Sequence, residues 1–499
     1  MNSESSGSML DRIRDILRPL VVNGPPVYLI GGAVRDLLLK RPAHDLDFAM
    51  RGDVRRVARA TADALDGAFY MLDDERSTAR VIFHDAEAGR FVLDFAAIRA
   101  ETLEGDLRAR DFTINAIALD VNDPQELIDP LHGAQDLKDK CLRMCGPMAF
   151  EEDPLRVLRG VRQALSFQFQ ILPDTWHAMQ AAAPQLEQVS MERKRDELFR
   201  MAEGTGFASA LRMLHQSGAL EQLFPECVQL IGLEQGPPHL LDAWEHTLAV
   251  VQSLEHLFAV LVDTHHEDDV ASLHLGMVAT KLGRFRPKLV EFYAQELVTG
   301  RCVRGLVKLA ALLHDTGKAI TGTVDENGKL HFRGHDSAGG VLAAQRGSAL
   351  TLSKEESARI QCIVEGHMQL HWLSKNPQSV GKREVYRFFR ANGAAGIDIC
   401  ILSLADVLAA YGTQLSAERW LAELDVVEAM FSGWFEQVEQ VVSPPRLVTG
   451  MDLMGEIGMA AGIRMGALLA DIEEAQACGE IADRDQALDF ARAWLHNEA

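Results

Sequence analysis

The stretch YLIGGAVRDLLLKRPAHDLDFAM, Tyr28 to Met50, decides the fold. It reads as strand, glycine turn, helix and a second short strand, DLDFAM. Residues i and i+2 of a strand point to one face, so Asp45 and Asp47 project together. Two carboxylates that close repel unless a cation lies between them. Mg²⁺ suits the pair, because it takes a few carboxylate oxygens and shares its other positions with phosphates and water. Asp94, in FVLDF, is the candidate third carboxylate of a two-metal clamp for in-line phosphoryl chemistry. Gly31 and Gly32 allow close backbone approach to a triphosphate, with amides of the turn and helix start as donors, and Arg35 adds charge. Taken alone, D-x-D also describes a solvated turn.

Working outward, the 499 residues favour several domains. The chain is 47% hydrophobic and 24% charged, ordinary for a globular protein, and its 6% aromatic content points to helix-rich packing. A net charge of −22 argues against a nucleic-acid binder on bulk charge alone, so any basic surface is local, in RVLRGVR or MERKRDELFR. Seven scattered cysteines without C-x-x-C spacing make structural zinc and a disulfide framework unexpected. No signal peptide and no bilayer-spanning apolar run are read, so the expectation is a cytoplasmic protein with no membrane partner.

Residues 10–22 read as an amphipathic helix, DVRRVARATADALDG as another, and RVIFH with RFVLDFAAIR as a hairpin around Gly89. From EEDPLRVLRGVRQALSF onward helical periodicity dominates, with GTVDENGKLHFRGH as a small hairpin within it. The expected fold is α+β: a mixed α/β head over 1–145, a helical neck over 146–225, a domain over 226–430 and a helical tail over 431–499.

Five motifs occur in order: GGAVRD with HDLDF, DLRARDFTINAIALD, LIDPLHGAQDLKDKCLRMCGP, FEEDPLRVLRGVRQALSF and MERKRDELFRM. Together they resemble the class II nucleotidyltransferases, the tRNA CCA-adding enzymes and bacterial poly(A) polymerases, over about residues 25–205, and the resemblance implies that the head is of the polymerase-β-like type. The resemblance implies that Asp45 and Asp47 hold the metals, and that Arg110, Asp111 and Asn115 contact the ribose and phosphates of CTP or ATP while tRNA supplies the attacking 3′-hydroxyl.

Asp153 and Arg156, three apart, share a helix face. A carboxylate only accepts hydrogen bonds and a guanidinium only donates them. Cytosine and adenine each present an amino donor beside a ring acceptor, so one Asp–Arg pair satisfies both, whereas uracil O4 or guanine O6 would meet the carboxylate acceptor to acceptor. Asp before Pro is equally a helix cap. Arg159 and Arg162 continue the stripe, facing phosphates or base, or pairing with Glu192 and Glu197.

A second cluster is spread through the helical part: His246, the pair His314–Asp315 in ALLHDTGK, His335, His367 and Asp406. Imidazole with carboxylate suits a transition metal such as Mn²⁺, Ni²⁺, Co²⁺ or Fe²⁺. The order H…HD…D resembles the HD phosphohydrolases, with His335 and His367 where two-metal members carry extra ligands. That resemblance implies phosphatase or 2′,3′-cyclic phosphodiesterase activity on RNA ends; a metal site that only holds helices together is the alternative.

The family's longer members carry a flexible segment before the RRDFT-like motif. Here Arg99 leads almost directly to Arg110, and Ala109 replaces the first arginine. Such shortening resembles enzymes that add only C, so CC addition stands beside CCA addition. A poly(A) polymerase is disfavoured by the acidic charge, and an RNA-binding protein with only its HD site active is disfavoured by intact Asp45, Asp47, Asp153 and Arg156.

Overall fold

The computed structural model describes residues 3–21, 26–123, 127–263 and 272–497. It divides into two compact units, Met1–Val189 with Gln216–Ala219, and Ser190–His215 with Leu220–Ala499.

The first unit is built on a seven-stranded sheet, with β1 (Val27–Ile30), β2 (Asp45–Met50), β3 (Ala68–Asp73), β4 (Thr78–Asp85), β5 (Gly89–Ala97), β6 (Ala118–Asp120) and β7 (Leu127–Ile128) in the spatial order β3-β4-β5-β2-β1-β6-β7. All pairings are antiparallel except β2 with β5. Strict alternation explains the layer. Leu46, Phe48, Leu93 and Phe95 are buried on one face, where the Phe48 and Phe95 rings stack at 5.0 Å. Each such ring contributes about 2–3 kcal/mol by burial. The parallel register sets Asp47 opposite Asp94, so the acidic residues share the other face.

Helix α1 (Ser3–Val21) begins before the expected residue 10, and Val22 lies outside the described residues. It buries Met9, Ile13 and Leu17, spaced four apart. Helix α2 (Gly32–Leu38) follows the glycine turn, and α3 (Val54–Leu65) crosses between β2 and β3. The Asp53 side chain accepts from the Arg56 amide to cap α3, and Asp66 in the left-handed region ends it. Further on come α4 (Leu103–Arg108), α5 (Gly133–Lys138), α6 (Ala149–Glu152) and α7 (Arg156–Phe167).

The second unit is helical apart from two small antiparallel pairs, Glu296–Val298 with Arg301–Cys302 and the expected hairpin, Thr323–Val324 with Leu330–His331. Buried ion pairs tie its elements together: Arg301, on a strand, to Glu356, and Arg359 to Asp398 between helices. The last three helices, Gly450–Ile457, Ile463–Cys478 and Arg484–Asn497, form their own apolar core around Leu453, Leu468, Ile472 and Ala487. One helical stretch, Ala395–Gln414, is long and apolar enough to cross a membrane by length and composition alone, but it is interrupted by Asp398 and Asp406 and 72% of its apolar window is buried inside the unit. Its apolar surface is consumed by packing against neighbouring helices.

Gly317 sits between helices Val303–Leu313 and Lys318–Thr321, and a Cβ there would fall 2.0 Å from the His335 carbonyl oxygen. Only a residue without a side chain lets these two backbones meet. Gly317→Ala is expected to cost about 1–3 kcal/mol through overpacking, read as a lower melting temperature, whereas Gly455→Ala, in open space within helix Gly450–Ile457, should cost nothing.

Candidate functional site

The first site lies on the acidic face of the head. Asp45 and Asp47 emerge from the edge of β2 with exposed side chains, while Leu46 between them is buried. Asp94 lies beside Asp47 and is held by Arg80, which donates to both its oxygens at 2.8 and 2.7 Å. The Asp47 carboxyl is held above the ordinary range by the protein around it and by Asp94 and Asp45, with Arg110 and Arg80 pulling the other way. That crowding of acids is relieved by a cation, so the residues fit a divalent ion of the kind expected.

Gly31, before α2, has φ +71°, and a Cβ there would lie 2.7 Å from an Arg110 guanidinium nitrogen and 3.7 Å from Asp47 Oδ2. The glycine therefore leaves a gap between cation and carboxylate. Arg35 donates to the Asn115 side-chain oxygen at 2.7 Å and to the Asp36 carboxylate at 2.9 Å. Asn115 in turn donates to Asp111 at 2.9 Å and to Gln163 at 2.9 Å. Asp111 is buried and ion-paired with Arg159 at 2.8 Å. Burial works against its charge, but Arg159, Asn115 and the Phe112 amide outweigh it and hold the carboxyl below its ordinary value.

Asp153 and Arg156 stand at the start of α7. The Leu155 amide donates to Asp153 Oδ1 at 3.2 Å in the turn that leads into α7; the helix itself opens from Leu155, so the alternative of Asp153 as its cap is not realised. Arg156 donates to the carbonyls of Arg110, Ala149 and Ala109 at 3.3, 2.9 and 2.7 Å. It thereby clasps the Ala109–Arg110 turn. Arg162 lies two turns along the same helix.

The second site brings together all six residues that the sequence singled out. His246 projects from helix Ala243–Leu261, His314 and Asp315 follow helix Val303–Leu313, His335 opens helix His335–Ala349, His367 ends helix Lys354–Gly366, and Asp406 lies on helix Ala395–Tyr411. Three imidazoles share one device. The Nδ1–H groups of His314, His335 and His367 donate to carbonyls three residues earlier, at 2.8, 2.8 and 2.6 Å. A carbonyl only accepts, so each Nε2 is left with its lone pair turned to the cluster.

Asp315 joins two ligand groups. Its Oδ2 lies 3.6 Å from His246 Nε2 and 3.2 Å from His314 Nε2; its Oδ1 lies 3.5 and 4.0 Å from those of His335 and His367. Within each group, the ligand atoms lie within 4.8 Å of one another. His335 Nε2 and His367 Nε2 face each other at 3.2 Å. Two lone pairs that close call for a cation between them. Burial and the neighbouring His314 push His367 down to about 3, so it is neutral, as a ligand must be. These donors fit a divalent metal with mixed nitrogen and oxygen preference.

Sequence reasoning missed the supporting residues. Lys318, three after Asp315, bonds its carboxylate at 2.6 Å. His371, four after His367, bonds Asp406 at 2.7 Å. Gln163, four after Arg159, and Arg80, opposite Asp94 in the hairpin, complete the head network. Helical or strand spacing from a known site residue was the available signal in every case.

A nucleotidyltransferase head followed by helical domains, one with an HD-type cluster, is the class that the fold and sites define. The chain matches family models described as "Poly A polymerase head domain" over residues 27–143, "Probable RNA and SrmB- binding site of polymerase A" over 168–230 and "HD domain" over 244–411. It is 32% identical to the A-adding tRNA nucleotidyltransferase of Deinococcus radiodurans, across 95% of this chain and 97% of that one. It is 30% identical to the CC-adding tRNA nucleotidyltransferase of Thermus thermophilus, across 93% of both. A CCA-adding enzyme solved with ATP superposes with a TM-score of 0.64 at 22% identity, covering 98% of this chain and 96% of the other. The Thermotoga maritima CCA-adding enzyme complexed with tRNA gives 0.58 at 22%, covering 97% and 95%. The chain belongs to the tRNA nucleotidyltransferase family of enzymes.

The Asp111–Arg159 pair yields a pH signature. A carboxyl held below its unfolded value adds stability above that value, about pH 4, and loses it as the pH falls through the folded one. Arg159→Met should cost roughly 2 kcal/mol at neutral pH. It should also flatten the acid limb of a plot of unfolding free energy against pH.

Proposed function

We propose that this protein adds the terminal CCA to tRNA from CTP and ATP at the head site, and that its HD site hydrolyses phosphoesters at RNA ends. The observation that carries the first part is the register of β2 against β5, which sets Asp45, Asp47 and Asp94 on one face beside Gly31 and Arg110.

In this reading Asp45 and Asp47 hold Mg²⁺, with Asp94 alongside. The ions would polarise the α-phosphate, favour the ionised 3′-hydroxyl and offset charge on the leaving pyrophosphate. The chain's own groups position the reactants. Gly31 admits the triphosphate to the backbone, and Arg110 and Arg35 supply fixed positive charge. Asn115, held by Arg35, Asp111 and Gln163, would offer the remaining lone pair of its side-chain oxygen to a ribose hydroxyl. Asp153 and Arg156 read the base edge: the carboxylate accepts, and the guanidinium donates, with three of its five N–H groups engaged with carbonyls. Catalysis then rests on orientation and charge placement.

At the HD site, His246, His314, Asp315, His335, His367 and Asp406 hold the metal, which would supply an activated water for phosphoester cleavage. Lys318 and His371 hold the carboxylates in place. Cytoplasmic location follows from this role as an expectation.

A second reading, addition of C residues alone, draws on the short connection to Arg110. Residues 99–110 form a compact turn of helix, with Thr102 capping α4 and Asp106 accepting from the Arg99 amide, and whole-length relatives carry the names A-adding and CC-adding.

Incubating tRNA lacking its 3′ end with CTP, ATP or both, and reading product lengths on a gel, tests both readings. Growth by three nucleotides with both substrates supports CCA addition, and two with CTP alone under all conditions supports the second. Asp45→Ala and Gly31→Ala should each lower extension at least 100-fold. His314→Ala and Asp315→Ala should leave extension intact and abolish release of phosphate or opening of 2′,3′-cyclic ends. Loss of extension in the HD variants, or its survival in Asp45→Ala, contradicts the assignment.

A further inference from the structure

A cavity of about 520 Å³ opens beside the histidine cluster, with Asp315, His335 and His367 among its walls. Its volume suits a ligand larger than a bare phosphate. Three features of its lining are unused by metal binding. Trp372, on the short helix Gln369–Leu373, is 64% exposed. An indole left in water at a cavity wall contributes little to folding, since its large apolar area stays unburied. The Lys375 ammonium lies 3.8 Å from the ring centroid, and one ammonium covers one of the two faces of an indole. Lys329, Arg333 and Lys375 also line the cavity, and none of them forms an ion pair among the described residues. Elsewhere in this unit arginines are habitually paired, for example Arg346 with Glu226 and Arg387 with Glu474. In a chain of net charge −22, uncompensated cations around one pocket mark an anionic ligand.

An exposed aromatic face flanked by free cations is the arrangement that receives a base and its adjoining phosphates, since every base has a π-face and every nucleotide a charge. We propose that Trp372 is a base-stacking platform, so that the HD site takes phosphoesters borne by a nucleotide and discriminates against phosphoesters lacking a base. This deepens the HD reading above and rests on it for the chemistry, but the stacking itself is a binding property. The ring fixes the base, and the cations draw the charged phosphoester into the cavity whose wall is the histidine cluster.

Trp372→Ala and Trp372→Phe test this in the full-length chain, and an exposed position leaves folding undisturbed. Two probes are used: cytidine 3′-monophosphate, and ribose 5-phosphate as the base-free control. Calorimetric titration of the metal-free protein reads binding, and hydrolysis of the same probes by the metal-loaded protein reads KM and kcat separately. Trp372→Ala should weaken the cytidine probe at least about tenfold in both Kd and KM, with kcat kept. Trp372→Phe should stay within about threefold of the parent, and ribose 5-phosphate should be indifferent to either change. Binding at the head is common to all three proteins, so the difference isolates residue 372. Equal affinity of parent and Trp372→Ala for the cytidine probe overturns the proposal, as does equal weakening of both probes. Absence of hydrolysis of either probe by the parent contradicts the phosphohydrolase reading instead, and the titration still decides the stacking.

Discussion

The head depends on one pairing, the parallel register of β2 with β5. It sets Asp47 level with Asp94 and, through strand alternation, places Asp45 on the same side. The opposite side of the same residues, Leu46, Phe48, Leu93 and Phe95, is the apolar core. A slip of one residue would turn the carboxylates inward and the phenylalanines out. The hydrophobic effect thus holds three mutually repelling groups in place, and the cost of their repulsion is met by burial on the other face.

The two sites solve the same electrostatic problem differently. In the head the Asp45 and Asp47 side chains are exposed, and the acidic face is balanced by the guanidinium groups of Arg80, bonded to both oxygens of Asp94, and Arg110, beside Gly31. In the HD cluster the groups are buried, and the rings are fixed by backbone carbonyls three residues back. Burial there keeps His367 neutral and leaves the imidazole nitrogens with no role other than to meet a cation or a proton.

Legibility in the sequence followed locality. D-x-D, the glycine turn and the hairpin at Gly89 are short-range patterns, and each lies in the structure where alternation put it. The six HD residues were legible because of their order, although 160 positions separate the first from the last. Arg80 and Gln163 were not, since a lone Arg or Gln on a regular element carries no mark until its partner is known. The burial of helix Ala395–Tyr411 was not legible either: its composition was visible, but the helices that cover it are distant in the chain. Asp153 shows the limit of a local rule: Asp before Pro reads as a helix cap, but the helix opens two residues later and the Asp153 side chain bonds the Leu155 amide of the leading turn.

Crystals soaked with Mn²⁺ and a non-hydrolysable CTP analogue, examined by anomalous scattering, test the central claim most directly. The account predicts a peak bridging the carboxylates of Asp45 and Asp47, with the triphosphate beside Gly31 and Arg110. A nucleotide seated elsewhere, or anomalous density confined to the histidine cluster, would contradict it.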